Sequence, residues 1–181
     1  MAECLIVTVR GGPRNLLAVC GLCLSNLAQL ARTQHSEVAR AHNRKVRFGL
    51  NGFVIVRDTE AEARDQLCEI IAHADAEAVE GFRESVQTAG AATSDKKGMW
   101  ADSSFEDLVQ YNDGFRTQLI GTPEQVADRI IEYKKIGVDL ILPGFLHFQE
   151  ELAAFGKTVI PIVREKEAEL VDRGVLTPAG V

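Results

Sequence analysis

The block Leu119-Ile-Gly-Thr-Pro-Glu-Gln-Val-Ala-Asp-Arg-Ile130, followed by Gly137-Val-Asp-Leu-Ile-Leu-Pro-Gly-Phe-Leu-His147, constrains the fold more than any other part of this chain. It reads as strand, capped helix, strand, then a turn into another helix. Residues 118–121 are a short strand. Thr122 is an N-cap, Pro123 takes the favoured first helical position, and Gln125 closes a capping box. Gly137 supplies the left-handed stop. Val138 to Leu142 predicts a buried strand, Gly144 turns the chain, and a last helix spans about 148–170, bent by Pro161. Strands alternating with helices of this length argue for parallel βαβ units.

Upstream, 46–56 (VRFGLNGFVIV) predicts a buried parallel strand of β-branched and aromatic residues. Gly49 and Gly52 mark a close approach to its backbone. Thr59 and Glu62 form a capping box that opens one helix running to about Gln87, with an apolar stripe from Ala63 through Leu67 and Ile70 or Ile71. Residues 88–104 predict a long loop with Met99 and Trp100 in the middle, and loops of that length are usually functional or disordered. Ser104 caps a short helix over 104–111. The order β-α-loop-β-α-β-α gives an α/β fold with about three βα units: the C-terminal part of a (β/α)8 barrel, and an incomplete one.

Size agrees with that reading, because 181 residues fall short of the roughly 250 usual for a closed eight-stranded barrel. Composition changes near residue 45. Residues 1–44 hold three of the four cysteines, five arginines and no Asp, Tyr, Phe or Trp. The chain therefore divides into an unassigned segment 1–45, a domain 46–170 and a frayed tail 171–181. The composition break suggests a shifted reading frame or a wrong start for 1–44. A net charge of −6 argues against nucleic acid and anionic membranes as partners. No apolar run reaches the ~20 residues of a membrane span. The run 14–31 is broken by Asn15, Asn26 and Gln29 and has no clear cleavage site, which argues against a signal peptide. Sparse cysteine use fits a reducing cytoplasm.

Three ordered blocks carry a family resemblance: RFGLNGFVIVRDTEAEAR (47–64), KKGMWADSSFEDLVQYNDGFRTQLIGTPEQVADRI (96–130) and GVDLILPGFLHFQEEL (137–152). They resemble the C-terminal portion of the bacterial-luciferase-like flavin monooxygenases, and within it the dimethylsulfone type, over about residues 46–168. The resemblance implies a TIM barrel and an FMNH2-dependent monooxygenase cleaving a carbon–sulfur bond in a small organosulfur compound. It further implies reduced FMN from a separate flavin reductase, and O2 as co-substrate. On it, 46–56, 118–121 and 138–143 match barrel strands six, seven and eight, and 88–116 matches the insertion over the active site. The alkanesulfonate relatives carry Arg and His where this chain has Asn51 and Phe53, a departure that favours a small uncharged sulfone. Their Tyr after strand eight matches Phe145, their nearby His matches His147, and an insertion Arg has an unaligned counterpart in Arg116.

The candidate catalytic residues are therefore His147 and Arg116, and the candidate cofactor-binding residues are Asn51, Phe53, Trp100 and Phe145; no metal site is expected. Each has a structural alternative. His147 is a catalytic group at a strand's C-terminal end or a helix-start histidine satisfied by backbone. Arg116 pairs with a phosphate or peroxide, or is a solvated loop arginine. Trp100 and Met99 form an apolar lid or a plug holding the loop to the body. Asn51 and Phe53 share a strand face that a barrel makes its interior, where they meet flavin or simply belong to the core. Cys20 and Cys23 have metal or redox spacing, but a single pair without a second is a weak signal. Three hypotheses remain: a piece of a flavin monooxygenase, a catalytically inactive truncated remnant without a flavin site, or an independent small binding module. Open strand edges would make this chain alone aggregate, turn molten or form a homo-oligomer, whereas an independent module would unfold cooperatively as a monomer.

Overall fold

A computed structural model describes residues 6–8, 15–20, 36–43, 46–93, 103–111 and 114–176 of the chain. Five strands and six helices lie in them: β1 (Ile6–Thr8), β2 (Asn15–Cys20), α1 (36–41), β3 (Val46–Val56), α2 (Glu60–Ala72) and α3 (Ala76–Thr93) come first. Next are α4 (Phe105–Leu108), a 3-10 turn (Gly114–Thr117), β4 (Leu119–Gly121), α5 (Pro123–Lys135), β5 (Leu140–Gly144) and α6 (Phe148–Asp172). The long strand β3 is the hub. It pairs in parallel with β2, with β5 along Gly49–Phe53 and with β4 along Val54–Val56. β1 adds antiparallel to β2. Strands β1 and β2 fall in the segment that sequence patterning leaves without an element.

Side-chain alternation on β3 divides the core in two. Leu50 and Val54, with Leu119 of β4, meet Val126, Ala127 and Ile131 of α5 and Phe155, Val159 and Val163 of α6. Phe53 and Ile55, with Ile120 of β4, meet Ala63 of α2 and Phe115 of the 3-10 turn. Two ion pairs, Lys166–Asp128 at 2.7 Å and Lys134–Glu167, tie α5 to α6. Asp128 also holds the Lys166 ammonium above its ordinary range.

Both expected capping boxes form. Thr59 accepts from the Glu62 N–H, and Thr122 accepts from the Gln125 N–H at 3.3 Å while Gln125 accepts from the Thr122 N–H at 2.9 Å. Thr122→Ala removes one of the α5 caps and should cost about 1 kcal/mol, read as a shift of the urea midpoint. Gly137 ends α5 with φ 88°, as its position requires.

Five expectations differ from the structure. The helix expected over 59–87 is two helices, because His73 closes α2 and the Asp75 carboxylate accepts from the Ala78 N–H at 3.0 Å, starting α3. α3 then runs on to Thr93 through an Ala-rich stretch that was expected to be loop. The strand expected over 138–142 sits two residues later. Asp139 first brackets Phe48, taking its N–H on a carboxylate oxygen at 2.9 Å and donating its own N–H to the Phe48 carbonyl at 2.7 Å. That strand is also not buried throughout, since Leu140 is 39% and Leu142 59% exposed. Finally, helix α6 continues through 171–172, which were expected to fray.

Gly52 marks where β3 and the 3-10 turn approach closely. A Cβ there would lie 2.8 Å from Leu119 Cδ1 and 3.0 Å from Thr117 Oγ1, both on fully buried residues. Gly52→Ala should therefore destabilise by roughly 1–2 kcal/mol through overpacking, measurable by urea unfolding.

Candidate active site

The parallel strands β3, β4 and β5 bring three turns to their shared C-terminal end: Arg57–Thr59 after β3, Thr122 after β4, and 145–147 after β5. One arginine ties all three. The Arg57 backbone N–H donates to the Gly121 carbonyl at 3.1 Å. Its guanidinium donates to the Val56 carbonyl at 2.7 Å, to Gln66 Oε1 of α2 at 3.0 Å, and to Glu151 Oε1 of α6 at 2.9 Å. The other oxygen of Glu151 accepts from the His147 backbone N–H at 3.1 Å. The forked guanidinium suits this role, since only it can face several acceptors from one planar group. Sequence reasoning missed Gln66, Arg57 and Glu151 as a unit. Arg57 and Glu151 stand 94 residues apart, and neither carries a local pattern of its own.

His147 is the N-cap of α6; its side chain makes no capping hydrogen bond and the residue is exposed. Phe145, two residues earlier, is half-buried in edge-to-face contact with Phe148 (6.2 Å) and Phe155 (5.7 Å). Strand register sets Asn51 beside Leu142 and Phe53 beside Gly144. Paired residues of parallel strands share a sheet face, so Asn51, Phe53, Leu140 and Leu142 belong to one face. Toward the C-terminal end of β3 that face is closed, because Phe53 is buried and meets Phe115 edge-to-face at 5.2 Å. Toward its N-terminal half the face is open: Asn51 is half-buried, and Leu140 and Leu142 are exposed.

Arg116 follows Phe115 in the 3-10 turn, half-buried, with Nε 3.8 Å from Asp107 Oδ2 of α4. In the same segment, the Glu106 carboxyl lies below its usual range, held there by its own backbone N–H and then by the Ser104 hydroxyl. The structure thus brings Asn51, Phe53 and the turn carrying Phe145 and His147 to one pair of strands, with Phe145 packed toward α6 in the other core cluster from Phe53, and places Arg116 next in the chain to Phe115, whose ring meets Phe53. Met99, Trp100 and Cys23 lie outside the described residues. Among the described residues no group of three or more His, Cys, Asp or Glu could hold a metal, and no helix is long and apolar enough to cross a membrane.

Similarity to known proteins follows this arrangement. The chain is 63% identical over 131 residues to an FMNH2-dependent dimethylsulfone monooxygenase of Pseudomonas putida, covering 72% of the chain and 36% of that protein. A second such protein, from Pseudomonas fluorescens (strain Pf0-1), is 56% identical over the same shares. A sulfoquinovose monooxygenase of Agrobacterium fabrum is 30% identical over 146 residues, 75% of the chain and 37% of that protein. The chain therefore spans about a third of the length of these relatives. Among solved structures, 93% of it superposes on 40% of a riboflavin lyase crystallised with modified FMN and riboflavin, at TM-score 0.63 and 20% identity. A long-chain alkane monooxygenase matches at TM-score 0.55 and 16% identity, over 90% of this chain and 37% of that one. Those two likenesses show the fold, an incomplete (β/α) barrel. The family model described as luciferase-like monooxygenase matches residues 24–140, well over half of the sequence, and the chain belongs to that family.

Proposed function

We propose that this chain contributes the last strands and helices of an FMNH2-dependent monooxygenase that cleaves a carbon–sulfur bond in a small uncharged sulfone, working in the cytoplasm with a separate flavin reductase. The observation that carries the reading is the step in identity: 63% to the dimethylsulfone enzyme against 30% to the sulfoquinovose enzyme, over comparable stretches. Within it, the cofactor-binding residues we propose are Asn51, Phe53, Trp100 and Phe145, and the catalytic ones are His147 and Arg116.

The described residues do not by themselves fit a whole flavin. A flavin phosphate needs cationic or N–H donors, and helix N-termini at the C-terminal ends of barrel strands are the usual source. Here Gln125 takes the Thr122 N–H ahead of α5, and Glu151 takes the His147 N–H ahead of α6. The first turn of α6 carries Glu150 and Glu151, which repel an anion. The guanidinium of Arg57 is already bonded to Glu151. No chemical step through the flavin is assigned to this chain alone, and these same observations favour the second reading, an inactive remnant when it stands alone.

Anaerobic titration with reduced FMN tests the proposal. This chain alone should give neither fluorescence quenching nor a thermal shift. A chimera placing the preceding part of the Pseudomonas putida relative ahead of residue 46 should bind reduced FMN and, with a reductase and O2, consume dimethyl sulfone. A folded, flavin-binding chimera that leaves the sulfone untouched would refute the substrate assignment.

A further inference from the structure

Tyr133 of α5 is a buried titratable group, 2% exposed, and its phenol donates to the Thr117 carbonyl at 3.0 Å, at the end of the 3-10 turn that carries Arg116. Thr117 is itself fully buried, and its hydroxyl donates to the Gly114 carbonyl at 2.8 Å, closing the turn on itself. A phenol in a core has to find an acceptor, and this one donates to backbone, so what it fixes is the path of the turn. Two non-glycine residues with left-handed backbone flank that turn: Tyr111 (φ 55°) ahead of it and Gln118 (φ 54°) after it. Such backbone persists only where its surroundings over-determine it, and it gathers at functional sites. At Gln118 the backbone N–H and the side-chain amide both donate to the Phe115 carbonyl, each at 3.0 Å, and the side-chain oxygen accepts from Arg64 of α2 at 3.2 Å. At Tyr111 the ring meets Phe82 of α3 edge-to-face at 5.2 Å.

We infer that Tyr133 and Gln118 are positioning residues that hold Arg116 in place for the reaction, an inference that rests on the reading of Arg116 as catalytic. An arginine side chain is long and flexible, and its guanidinium helps a reaction only when it is held where charge develops. Its ion partner is anchored as well. Asp107 sits in α4, where its N–H donates to the capping Ser104 hydroxyl at 3.2 Å, and Arg83 of α3 donates to the Ser103 carbonyl at 2.6 Å. Arg116 Nε and Asp107 Oδ2 stand 3.8 Å apart, one on each anchored piece. Polar side chains from α2, α3 and α5 thus all converge on the two pieces. A turn whose sole task is to lead into β4 needs neither a left-handed glutamine nor a buried phenol. Glycine gives the same backbone without strain, and phenylalanine fills the same core without a hydroxyl to satisfy.

The test compares Tyr133→Phe, which keeps the ring and removes the donor, with Gln118→Gly, which relieves the left-handed backbone and removes the side-chain bonds. In the full 181-residue chain, Gln118→Gly should leave the urea midpoint nearly unchanged, because relief of strain offsets the freedom of glycine in the unfolded state. Both variants should shift or broaden the Arg116 Nε–H resonance, assigned by its loss in Arg116→Lys. Both should also speed exchange of the Arg116 and Thr117 amides by about tenfold relative to those of β3. In the chimera with the preceding part of the Pseudomonas putida relative, Tyr133→Phe should lower kcat for dimethyl sulfone roughly tenfold with KM little changed. It should cost nothing further once Arg116 is replaced by Ala, because it acts through Arg116. An Arg116 resonance and amides unmoved in both variants would overturn the inference, as would a kcat loss that multiplies with that of Arg116→Ala. Full turnover in Arg116→Ala would remove the catalytic reading of Arg116 and leave the resonance and the exchange, which need no turnover, to decide whether Tyr133 and Gln118 hold it.

Discussion

Leu119→Ala should lower the unfolding free energy of the chain by about 3–5 kcal/mol, the upper range for truncating a buried leucine. Leu119 has no exposed surface and lies in the cluster joining Val54 of β3 to Val126, Ala127 and Ile131 of α5. Its Cδ1 also fills the space above Gly52, which has no side chain of its own to move into the gap. The residue belongs to a strand of only three residues, so little else holds β4 in place. The cavity would therefore open at the junction of both core clusters, where relaxation by one element pulls on another. Leu142→Ala is the control. At 59% exposure it should change stability by under about 0.5 kcal/mol, although both are leucines in strands that pair with β3. Urea unfolding followed by far-UV circular dichroism compares the two. Equal losses would mean that the face carrying Leu142 is not open.

Local signals in the sequence were legible wherever local chemistry decides the structure. The Thr122-Pro123-Gln125 start of α5 and its Gly137 stop are read directly, because capping and left-handed stops depend on three or four neighbouring residues. Strand β3 was legible end to end, since eleven residues of strand-forming character leave few alternatives. Asp75 went unread because an apolar stripe spanning 63–78 hides a single capping carboxylate within it. The exposure of Leu140 and Leu142 was illegible for a different reason. An apolar run in a barrel strand looks the same whether or not the strands that would bury it are present. Candidate site residues were found by resemblance rather than by spacing. The network beside them was not found at all, because Arg57, Gln66 and Glu151 meet only once three strands have been laid side by side.

That network makes the second large prediction. Arg57→Ala should cost about 2–3 kcal/mol, more than an exposed ion pair and less than a fully buried one. Arg57 and Glu151 are 27% and 16% exposed, so solvent screens them only in part. Three acceptors lose a donor at once: the Val56 carbonyl, Gln66 and Glu151. Glu151 is then left half-enclosed with a charge and only the His147 N–H to satisfy it. Arg57→Lys should recover part of the loss, because an ammonium reaches one carboxylate but cannot fork to Gln66 as well. Glu151→Gln should keep hydrogen bonding and lose charge, and so cost less than Glu151→Ala. In a double-mutant cycle Arg57→Ala and Glu151→Ala should show a coupling of about 1–2 kcal/mol. Hydrogen exchange separates this role from bulk stability. Loss of the pair should speed exchange of the His147 amide beyond the change at core amides of β3, because Glu151 is held against His147 by Arg57. Additive losses, with His147 exchanging in step with β3, would show instead that the turn is fixed by Phe145 packing on Phe148 and Phe155.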